Sequence, residues 1–314
     1  MKLFVTGATG VVGRRLVPIL RGNHHEVTAV ARSPVRRNEL ERHGAVAIDV
    51  DLFDRAAVAR VVAGHDAVIN LATHIPHSSA SMFVRWAWRE NDRLRRLASA
   101  TIVNACIDAN VQRLVQESFA PVYPDCGDRW IAEDTPISPV RYNRTVADAE
   151  ASADRFAKSG RTGVVLRFAA FYGSDAWQTR DVISWVKRGW APMPGPANAY
   201  VSSVSHDDAA TAVAAAVALP SGVYNVVDDE PVTHRMFVDS LAEALGVHHP
   251  RLPPAWITPL FGSLGTMLAR SLRISNARFR RSSGWAPRFA SVSQGWPSVL
   301  AELDGPASHR SRTS

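Results

Sequence analysis

Short apolar runs alternate with amphipathic stretches along the first half of the chain, and turn residues separate them. The apolar runs are continuous, which predicts strands buried on both faces; they cover 3–6, 27–31, 45–48, 67–71, 113–116 and 163–167. The amphipathic stretches predict helices at 11–21, 35–43, 54–63, 81–110 and 140–159. Because helical crossovers join successive strands, the sheet should be parallel. The predicted fold class is α/β, with a Rossmann-type doubly wound parallel sheet.

The alternation weakens in the second half of the chain. The pattern there predicts a helix at 179–188, a strand at 200–204, a helix at 207–219, a strand at 223–226 and mainly helix over 232–303. We therefore expect a first domain over 1–170 and a smaller, mainly helical C-terminal lobe over 171–304, of which about 200–227 returns to the core sheet. The small and polar residues of 305–314 predict a disordered tail.

A glycine-rich loop, TGATGVVG, joins the first strand to the first helix. Its first glycine permits a tight turn, its second lets the backbone approach a pyrophosphate, and its third lets the helix pack on the sheet. The helix N-terminus adds amide donors. We therefore predict that 1–170 is a dinucleotide-binding domain and 171–304 mostly a substrate-binding lobe. The loop residues expected at the nucleotide are Gly7, Thr9, Gly10, Val11, Val12 and Gly13.

The end of the second strand bears on which dinucleotide binds. An acidic residue there would favour NAD, whereas this chain has Arg32 followed by Ser33, with Arg36 and Arg37 nearby. A guanidinium forms charge-assisted hydrogen bonds with a phosphate, and the 2′-phosphate distinguishes NADP from NAD. The sequence predicts NADP(H) as the cofactor.

These stretches resemble the extended short-chain dehydrogenase/reductases, and the chain is similar to their NAD-dependent epimerase/dehydratase group over nearly all of 1–300. The resemblance is carried by TGATGVVG, AIDVDLFD, VINLAT, VVLRFAAFYG, VSSVSHDDAATAV, GVYNVVDDEPVT and FRRSSGWAPRF. It implies that Asn91 matches an asparagine on the long helix after the fourth strand. It also implies further cofactor contacts at Asp51, Leu52, Leu71, Ala72, Thr73 and Phe168.

The catalytic set implied by the resemblance is incomplete. The family uses a serine or threonine, a tyrosine and a lysine four residues after the tyrosine. Tyr142 stands at the tyrosine position, but Val146 stands at the lysine position and Phe119 at the serine position. Ser118 is one residue away, so its side chain should point to the opposite side of the strand.

No lysine or arginine is expected to replace the missing lysine. Arg144 lies two residues from Tyr142 and should point away from it, and the lysines of the chain lie elsewhere, at positions 2, 158 and 187. A phenol without such help can still donate a hydrogen bond, although it is a poor base at neutral pH. Reducing a ketone needs only a polarised carbonyl and a proton, whereas oxidising an alcohol needs a base. The sequence therefore favours a reductase.

Aromatic residues are frequent in the segments expected around the nicotinamide. They favour a flat, bulky substrate, and the chain resembles atypical family members that reduce polycyclic aromatic ketones of the angucyclinone type. We thus predict an NADPH-dependent ketoreductase of secondary metabolism. Two alternatives remain open: a non-catalytic NADP(H)-binding redox sensor and a nucleotide-sugar epimerase or dehydratase. The predicted substrate contacts are His74, Trp86, Phe119, Tyr172 and Trp185.

Composition narrows the remaining possibilities. The net charge is +7, but the arginines are scattered and no nucleic-acid motif accompanies them, so nucleic acid is not expected as a partner. Neither an apolar run long enough for a membrane span nor a signal-peptide pattern is present. Histidine, cysteine and acidic residues do not cluster at metal-ligand spacing. We expect a cytoplasmic monomer or homodimer that binds a small-molecule substrate and no metal.

Overall fold

The computed structural model describes residues 1–191 and 193–305. The tail predicted at 305–314 therefore lies, beyond its first residue, outside the described residues. No helix in the described part of the chain is long and apolar enough to span a membrane. Within the same residues, no group of three or more histidine, cysteine or acidic side chains is placed to hold a metal ion.

Strands and helices alternate through the first half, as the apolar pattern predicts. The strands are β1 Lys2–Thr6, β2 Glu26–Val30, β3 Val46–Ile48, β4 Ala67–Asn70, β5 Arg113–Phe119, β6 Trp130–Ile131, β7 Thr162–Phe168, β8 Ala170–Tyr172, β9 Tyr200–Val201, β10 Ser203–Ser205, β11 Gly222–Val226, β12 Val232–Thr233 and β13 Arg273–Ile274. The α-helices are α1 Gly13–Gly22, α2 Pro34–Arg42, α3 Arg55–Val62, α4 Ser79–Met82, α5 Arg89–Arg93, α6 Ser99–Asp108, α7 Val146–Lys158, α8 Trp177–Lys187, α9 His206–Ala216, α10 His234–Leu245, α11 Gly262–Leu268, α12 Ala277–Ser283 and α13 Val292–Asp304.

Seven of the described strands form one parallel sheet in the order β11-β7-β5-β4-β1-β2-β3. The strand order reverses between β1 and β4, which creates a crevice at the carboxyl ends of the strands. The predicted α/β fold class is confirmed. The predicted strand at 200–204 is wrong in its pairing: it is two short strands, β9 and β10, which pair with β12 and β8 outside the main sheet.

Successive residues of the strands face opposite sides of the sheet, so each side has its own apolar core. Leu3 and Val5 of β1 face the core shared with α1 and α9. Phe4 faces the other core, shared with α3, α6 and α7. A third core lies in the lobe, where α8, α10 and α13 pack around Trp296 and Leu241.

Two helices differ from their predicted bounds. The predicted helix at 81–110 is interrupted: 3₁₀-helix at Arg85–Trp88 and a π-helix at Leu94–Ala98 separate α4, α5 and α6. The predicted helix at 140–159 begins only at Val146. Residues 141–145 form turns instead, because the Asn143 side chain accepts the backbone N–H of Val140 at 2.9 Å and donates to the carbonyl oxygen of Pro121 at 2.9 Å.

Candidate active site

Two glycines of the loop after β1 are required by backbone contacts. Gly7 has a φ of +67°, and a Cβ there would lie 2.3 Å from the carbonyl oxygen of Leu71 and 2.8 Å from the nitrogen of Ala72. A Cβ on Gly13 would lie 2.2 Å from the carbonyl oxygen of Gly7. Backbone atoms cannot turn aside as a side chain can, so both positions exclude any larger residue.

Gly10 has a different role in the same loop. A Cβ there would lie 3.2 Å from the carbonyl oxygen of Gly7, with no other atom in contact, and the residue is exposed. Thr9 and Val11 beside it are half-buried, whereas Val12 belongs to the core. Helix α1 has neither a side-chain cap nor an acidic residue in its first turn. An open backbone surface at an uncapped helix N-terminus fits the pyrophosphate of a dinucleotide.

The first turn of α1 is fixed to the rest of the molecule by charge. Arg14 and Arg15 both pair with Asp175, and Arg15 also pairs with Asp207. His206 Nδ1 lies 2.8 Å from Asp175 Oδ1. Burial, together with the positive charges of Arg15 and Arg14, lowers the pKa of His206 to about 3. The imidazole of His206 is therefore neutral at physiological pH. It donates a hydrogen bond to the carboxylate of Asp175, whose negative charge Arg14 and Arg15 already balance.

The end of β2 leaves one arginine free. Ser33 serves as the N-cap of α2, where its hydroxyl accepts the backbone N–H of Arg36 at 3.4 Å. Arg37 lies 3.4 Å from Asp49. Arg32 is exposed and has no hydrogen-bond or ion-pair partner among the described residues. Its guanidinium is thus available to an anionic ligand at this edge of the sheet.

The segment after β3 carries the predicted adenine contacts. Asp51 is exposed, and its carboxylate accepts the backbone N–H of Phe53 at 3.0 Å. Leu52 is half-buried and packs against the core beneath it. The guanidinium of Arg93 lies 3.6 Å from the centroid of the Phe53 ring. This contact joins the segment to helix α5, which lies beside the next part of the site.

A buried polar network fixes the end of β4. The amide of Asn70 accepts the hydroxyl of Thr6 at 2.6 Å and donates to Gln116 at 2.9 Å. It thereby joins β1, β4 and β5 where the three strands end. Thr73, three residues later, is exposed. The predicted cofactor contacts at Leu71, Ala72 and Thr73 therefore lie on a backbone that is fixed against the glycine loop.

Tyr142 lies in the turns before α7 and packs on an aromatic side chain. Its ring meets Trp88 edge to face, with 4.5 Å between the ring centroids. Burial raises the pKa of the Tyr142 phenol well above its ordinary value, and the positive charge of Arg95 acts in the opposite direction. The phenol is therefore protonated at neutral pH, where it can donate a hydrogen bond but cannot remove a proton.

The serine position is occupied by an aromatic ring, as predicted. Ser118 is 1% exposed and donates to Glu150 on α7. Its side chain therefore points to the side of the sheet that α7 covers. Glu150 also forms an ion pair with Arg167 at 2.7 Å, and Arg167 donates to the hydroxyl of Tyr123 at 2.7 Å. Phe119 is half-buried on the other side of the strand. Ser118 thus belongs to a structural network and not to the reaction site.

Arg95 is a buried cation on the helical segment that also contacts the Tyr142 turn. The positive charge of Arg95, from the π-helix, partly offsets the rise in the pKa of the Tyr142 phenol, and its guanidinium lies 6.0 Å from the centroid of the Phe119 ring. Its guanidinium is 3.3 Å from the carboxylate of Glu117 on β5. We call these four residues together with Trp88 the Tyr142 cluster. Arg144, by contrast, is exposed, as its spacing from Tyr142 predicts.

The helical segment after β4 also holds the neighbouring loops. The side chain of Asn91 accepts the backbone N–H of His74 at 3.0 Å. One residue later, Asp92 accepts the hydroxyl of Thr145 at 2.8 Å, in the turns next to Tyr142. The ring of His74 is half-buried and lies 5.5 Å from that of His77. His74 is therefore held close to the end of β4, where the sequence predicts it.

Several aromatic residues predicted at the ligands lie elsewhere. Tyr172 is 3% exposed and packs on Trp296 in the core of the lobe, with 5.7 Å between ring centroids, and its role as a substrate contact stays a prediction. The Phe168 side chain is likewise inside the core, 5.4 Å from Phe171, and only its backbone remains for a cofactor. Phe168 ends β7 and Tyr172 ends β8, and in both strands the rings point inward.

Trp86 and Trp185 remain predicted substrate contacts, and both are exposed. Trp86 is 70% exposed, whereas Trp88, two residues later, is buried and forms the contact with Tyr142. Trp185 on α8 is 43% exposed, and no ring contact joins it to the Tyr142 cluster among the described residues. In a 3₁₀ segment the side chains of residues two positions apart point in different directions. Only one of Trp86 and Trp88 can therefore face inward.

Apolar side chains are exposed on the side of α11 that lies near the Tyr142 turn. The Phe83 and Phe261 rings are 5.6 Å apart, and Trp256, which lies in the same 3₁₀ segment as Phe261, is 75% exposed. The sulfur of Met267 accepts the side-chain N–H of Asn143 at 3.5 Å. An open cavity of about 510 Å³ adjoins this surface, and its lining residues are Pro124, Asp125, Ala255, Trp256, Thr258, Pro259, Thr266, Ala269 and Arg270.

Known proteins that are similar to this chain identify its family. The family model for the NAD-dependent epimerase/dehydratase family matches residues 3–226. The chain belongs to that family. One relative in this family, a 3-diazoavenalumate denitrifying reductase from a Streptomyces species, is 32% identical over 310 residues, which cover 94% of this chain and 99% of the relative.

Other members of the epimerase/dehydratase family extend the comparison. A 4-hydroxy-2-methyl-3-oxo-4-farnesyl-3,4-dihydroquinoline-1-oxide ketoreductase from Stigmatella aurantiaca is 28% identical over 258 residues, 79% of this chain and 74% of the relative. A solved structure of a human epimerase family protein with NADPH has a TM-score of 0.81 and 20% identity over 96% of this chain and 100% of that one. That likeness shows the shared fold. This chain is an NAD(P)-dependent oxidoreductase of the epimerase/dehydratase family.

The sequence alone did not indicate the roles of three residues of the Tyr142 cluster. Trp88, Arg95 and Glu117 come from separate segments, and no local motif joins them. One signal was available: Arg95 follows Asn91 by about one helical turn, so both side chains lie on one side of the segment.

Proposed function

We propose that this chain is an NADPH-dependent ketoreductase that acts on a bulky, polycyclic aromatic ketone of the polyketide type. The observation that carries the proposal is the state of Tyr142, a half-buried phenol that remains protonated and has no lysine four residues after it. Such a group can polarise a carbonyl by donating a hydrogen bond. It cannot start the oxidation of an alcohol, the first step of an epimerase or dehydratase.

The residues present fit NADPH, and each has a part in binding it. The backbone around Gly10 and the N-terminus of α1 would hold the pyrophosphate, and Arg32 would pair with the 2′-phosphate. When bound, NADPH supplies the hydride that reduces the substrate. Tyr142 donates a hydrogen bond to the carbonyl oxygen, and that oxygen then takes a proton from water or from a phenol of the substrate itself.

Two further observations support an aromatic ketone. The surface formed by Phe83, Trp256 and Phe261 suits a flat apolar molecule, since aromatic rings pack well against one another. The ketoreductase relative acts, by its name, on a substituted quinoline. A nucleotide-sugar substrate would need a more polar surface there.

A second candidate acceptor is a diazo group. It is favoured by the denitrifying reductase, the relative that aligns over almost the full length of both chains. An arenediazonium group that takes up hydride gives the arene and N₂, and no proton has to be added or removed. A site without an activated base or acid is sufficient for that reaction.

The test follows NADPH absorbance with purified protein and two matched panels, polycyclic aromatic quinones and ketones in one and aryl diazonium carboxylates in the other. We expect wild type to turn over the ketone panel, and we expect Tyr142→Phe to reduce this turnover about 10-fold or more. Turnover only with the diazo panel, with release of N₂ and no effect of Tyr142→Phe, would replace the ketone by the second candidate. Tight NADPH binding without turnover of either panel would instead support a redox sensor.

Cofactor choice is tested separately. Arg32→Ala should weaken NADPH binding about 10- to 100-fold, because a charge-assisted phosphate contact is lost, and should leave NADH binding unchanged. Arg42→Ala, an exposed arginine at the end of α2, is the matched control. Equal losses for NADPH and NADH in Arg32→Ala would show that Arg32 does not select the cofactor.

A further inference from the structure

The open cavity beside α11 is large enough for a small-molecule ligand. Its volume of about 510 Å³ falls within the range of about 300–1,000 Å³ that is typical of ligand pockets. Apolar side chains supply most of its lining, among them Pro124, Trp256 and Pro259. Because Trp256 is 75% exposed, much of its indole surface is available to a flat ring.

The described lining of this cavity holds one positively charged side chain, that of Arg270. The residue is half-buried, and its Nη1 donates to the carbonyl oxygen of Tyr123 at 2.7 Å. It has no ion-pair partner among the described residues. Burial lowers the pKa of the Arg270 guanidinium, and the negative charge of Asp125 acts in the opposite direction. A guanidinium has five N–H donors, so this one keeps donors for an anionic ligand.

The structure holds Arg270 in place before any ligand binds. Tyr123, which accepts its hydrogen bond, is fully buried and donates its own hydroxyl to Asn225 at 2.8 Å. The next residue, Ser271, is buried and accepts the backbone N–H of Tyr200 at 2.9 Å. A cation fixed from both sides loses little conformational freedom on binding, which favours affinity.

Two further polar residues of the lining narrow the choice of ligand. The hydroxyl of Thr258 is buried and has no hydrogen-bond partner among the described residues, and a ligand oxygen would satisfy it. The exposed carboxylate of Asp125 accepts the backbone N–H groups of Gly127 at 2.9 Å and Ser271 at 3.3 Å. Its charge would repel additional negative charge in the cavity, which favours a monoanion over a diphosphate.

We propose that this cavity binds the carboxylate of an aromatic acid, which pairs with Arg270 while its ring packs on Trp256 and Thr258 donates a hydrogen bond to a ligand oxygen. The inference rests on the proposed reductase function and deepens it, because it makes the substrate a carboxylated aromatic compound. Helix α11 connects the two sites: it lines the cavity, and its Met267 contacts Asn143 in the Tyr142 turn. One substrate can therefore be held by its carboxylate in the lobe and by its reacting group at Tyr142.

Binding is tested by calorimetry on the full-length protein saturated with NADPH, so that the probes meet an occupied dinucleotide site. The probes are 2-naphthoate, the uncharged 2-naphthamide of the same shape, and uridine diphosphate. We expect 2-naphthoate to bind about 10-fold or more tightly than 2-naphthamide, since the charge-assisted contact is lost in the amide. Equal affinities would overturn carboxylate recognition. Tighter binding of uridine diphosphate than of 2-naphthoate would overturn it in favour of a nucleotide ligand.

Variants assign the contact to its residues. Arg270→Gln should weaken 2-naphthoate binding about 10- to 100-fold and leave 2-naphthamide binding unchanged. Thr258→Val should weaken 2-naphthoate binding about 3- to 10-fold without touching the Tyr123 contact. Arg281→Gln, at an exposed arginine on α12, is the matched control. Unchanged 2-naphthoate binding in both Arg270→Gln and Thr258→Val, or an equal loss in Arg281→Gln, would overturn the site.

A matched pair of ketones separates this inference from the proposed function. With NADPH, wild type should show a lower KM for anthraquinone-2-carboxylate than for anthraquinone-2-carboxamide, and Arg270→Gln should remove the difference. Reduction of both ketones with equal KM values would remove the carboxylate site and keep the reductase. Arg270-dependent binding of 2-naphthoate without turnover of any ketone or diazo compound would remove the reductase and keep the carboxylate site.

Discussion

The glycine loop and the Tyr142 cluster lie at the carboxyl edge of the same sheet, but different kinds of contact hold them together. At the glycine loop the decisive contacts are between backbone atoms, such as the approach of Gly7 to the carbonyl oxygen of Leu71. At the Tyr142 cluster the decisive contacts are between side chains, such as Arg95 with Glu117. Backbone contacts permit one residue type, whereas side-chain contacts can be met by several combinations. The cofactor side thus keeps the family pattern while the reaction side departs from it.

The largest expected effect tests the side-chain half of this comparison. Arg167 is 5% exposed and holds Glu150 and Tyr123 beneath the Tyr142 side of the sheet. Arg167→Met leaves the mostly buried carboxylate of Glu150 without its positive partner and should lower the free energy of unfolding by about 3–5 kcal/mol in urea denaturation. Arg55→Met, which removes an exposed pair with Asp108, should change it little. Similar losses in both variants would mean that burial is not what gives the Arg167 network its strength.

A smaller effect is expected on the backbone half. Gly13→Ala places a Cβ against the carbonyl oxygen of Gly7 and should lower the free energy of unfolding by about 1–3 kcal/mol, with weaker NADPH binding by calorimetry. Gly22→Ala, in the same helix, meets no atom within 4 Å and should be neutral or slightly stabilising. If Gly13→Ala bound NADPH as wild type does, the loop would be more adaptable than its contacts indicate.

The last effect depends on pH, is absent at neutral pH and concerns the anchor of α1. The pKa of His206 is lowered from an ordinary value of 6.5 to about 3 in the folded protein. The unfolded chain therefore binds the proton more readily between these values, and stability, complete above 6.5, decreases by up to about 1.4 kcal/mol per pH unit as the pH falls. His206→Gln should flatten this slope in urea titrations, and the exposed His248→Gln should leave it unchanged. An identical slope in His206→Gln would assign the acid sensitivity to other groups.

The parts of the molecule that the sequence predicted well are those encoded locally. The strands of the main sheet are continuous apolar runs, and the glycine loop carries its own spacing, so both follow from neighbouring residues. The absent lysine and the inverted Ser118 were also evident from position alone. Local patterns of this kind need no knowledge of which distant segments meet.

The Tyr142 cluster could not be predicted in the same way. The pairing of Arg95 with Glu117 depends on how a helical segment lies over the end of β5, and no spacing encodes that. The late start of α7 depends on Asn143, whose side chain bonds to Val140 and Pro121. Choosing Trp88 over Trp86 required the direction of a 3₁₀ turn. In each case a tertiary contact overrode the local preference.

A genetic consequence follows from the π-helix at Leu94–Ala98. A π-turn holds one residue more than an α-turn at the same helix length, so a single inserted codon is enough to create it. Such an insertion would leave α6 and its core residues in register with the sheet and would change the direction of the residues before it. Lineages that keep or lose this codon should differ in the reaction side of the protein and agree in the cofactor side.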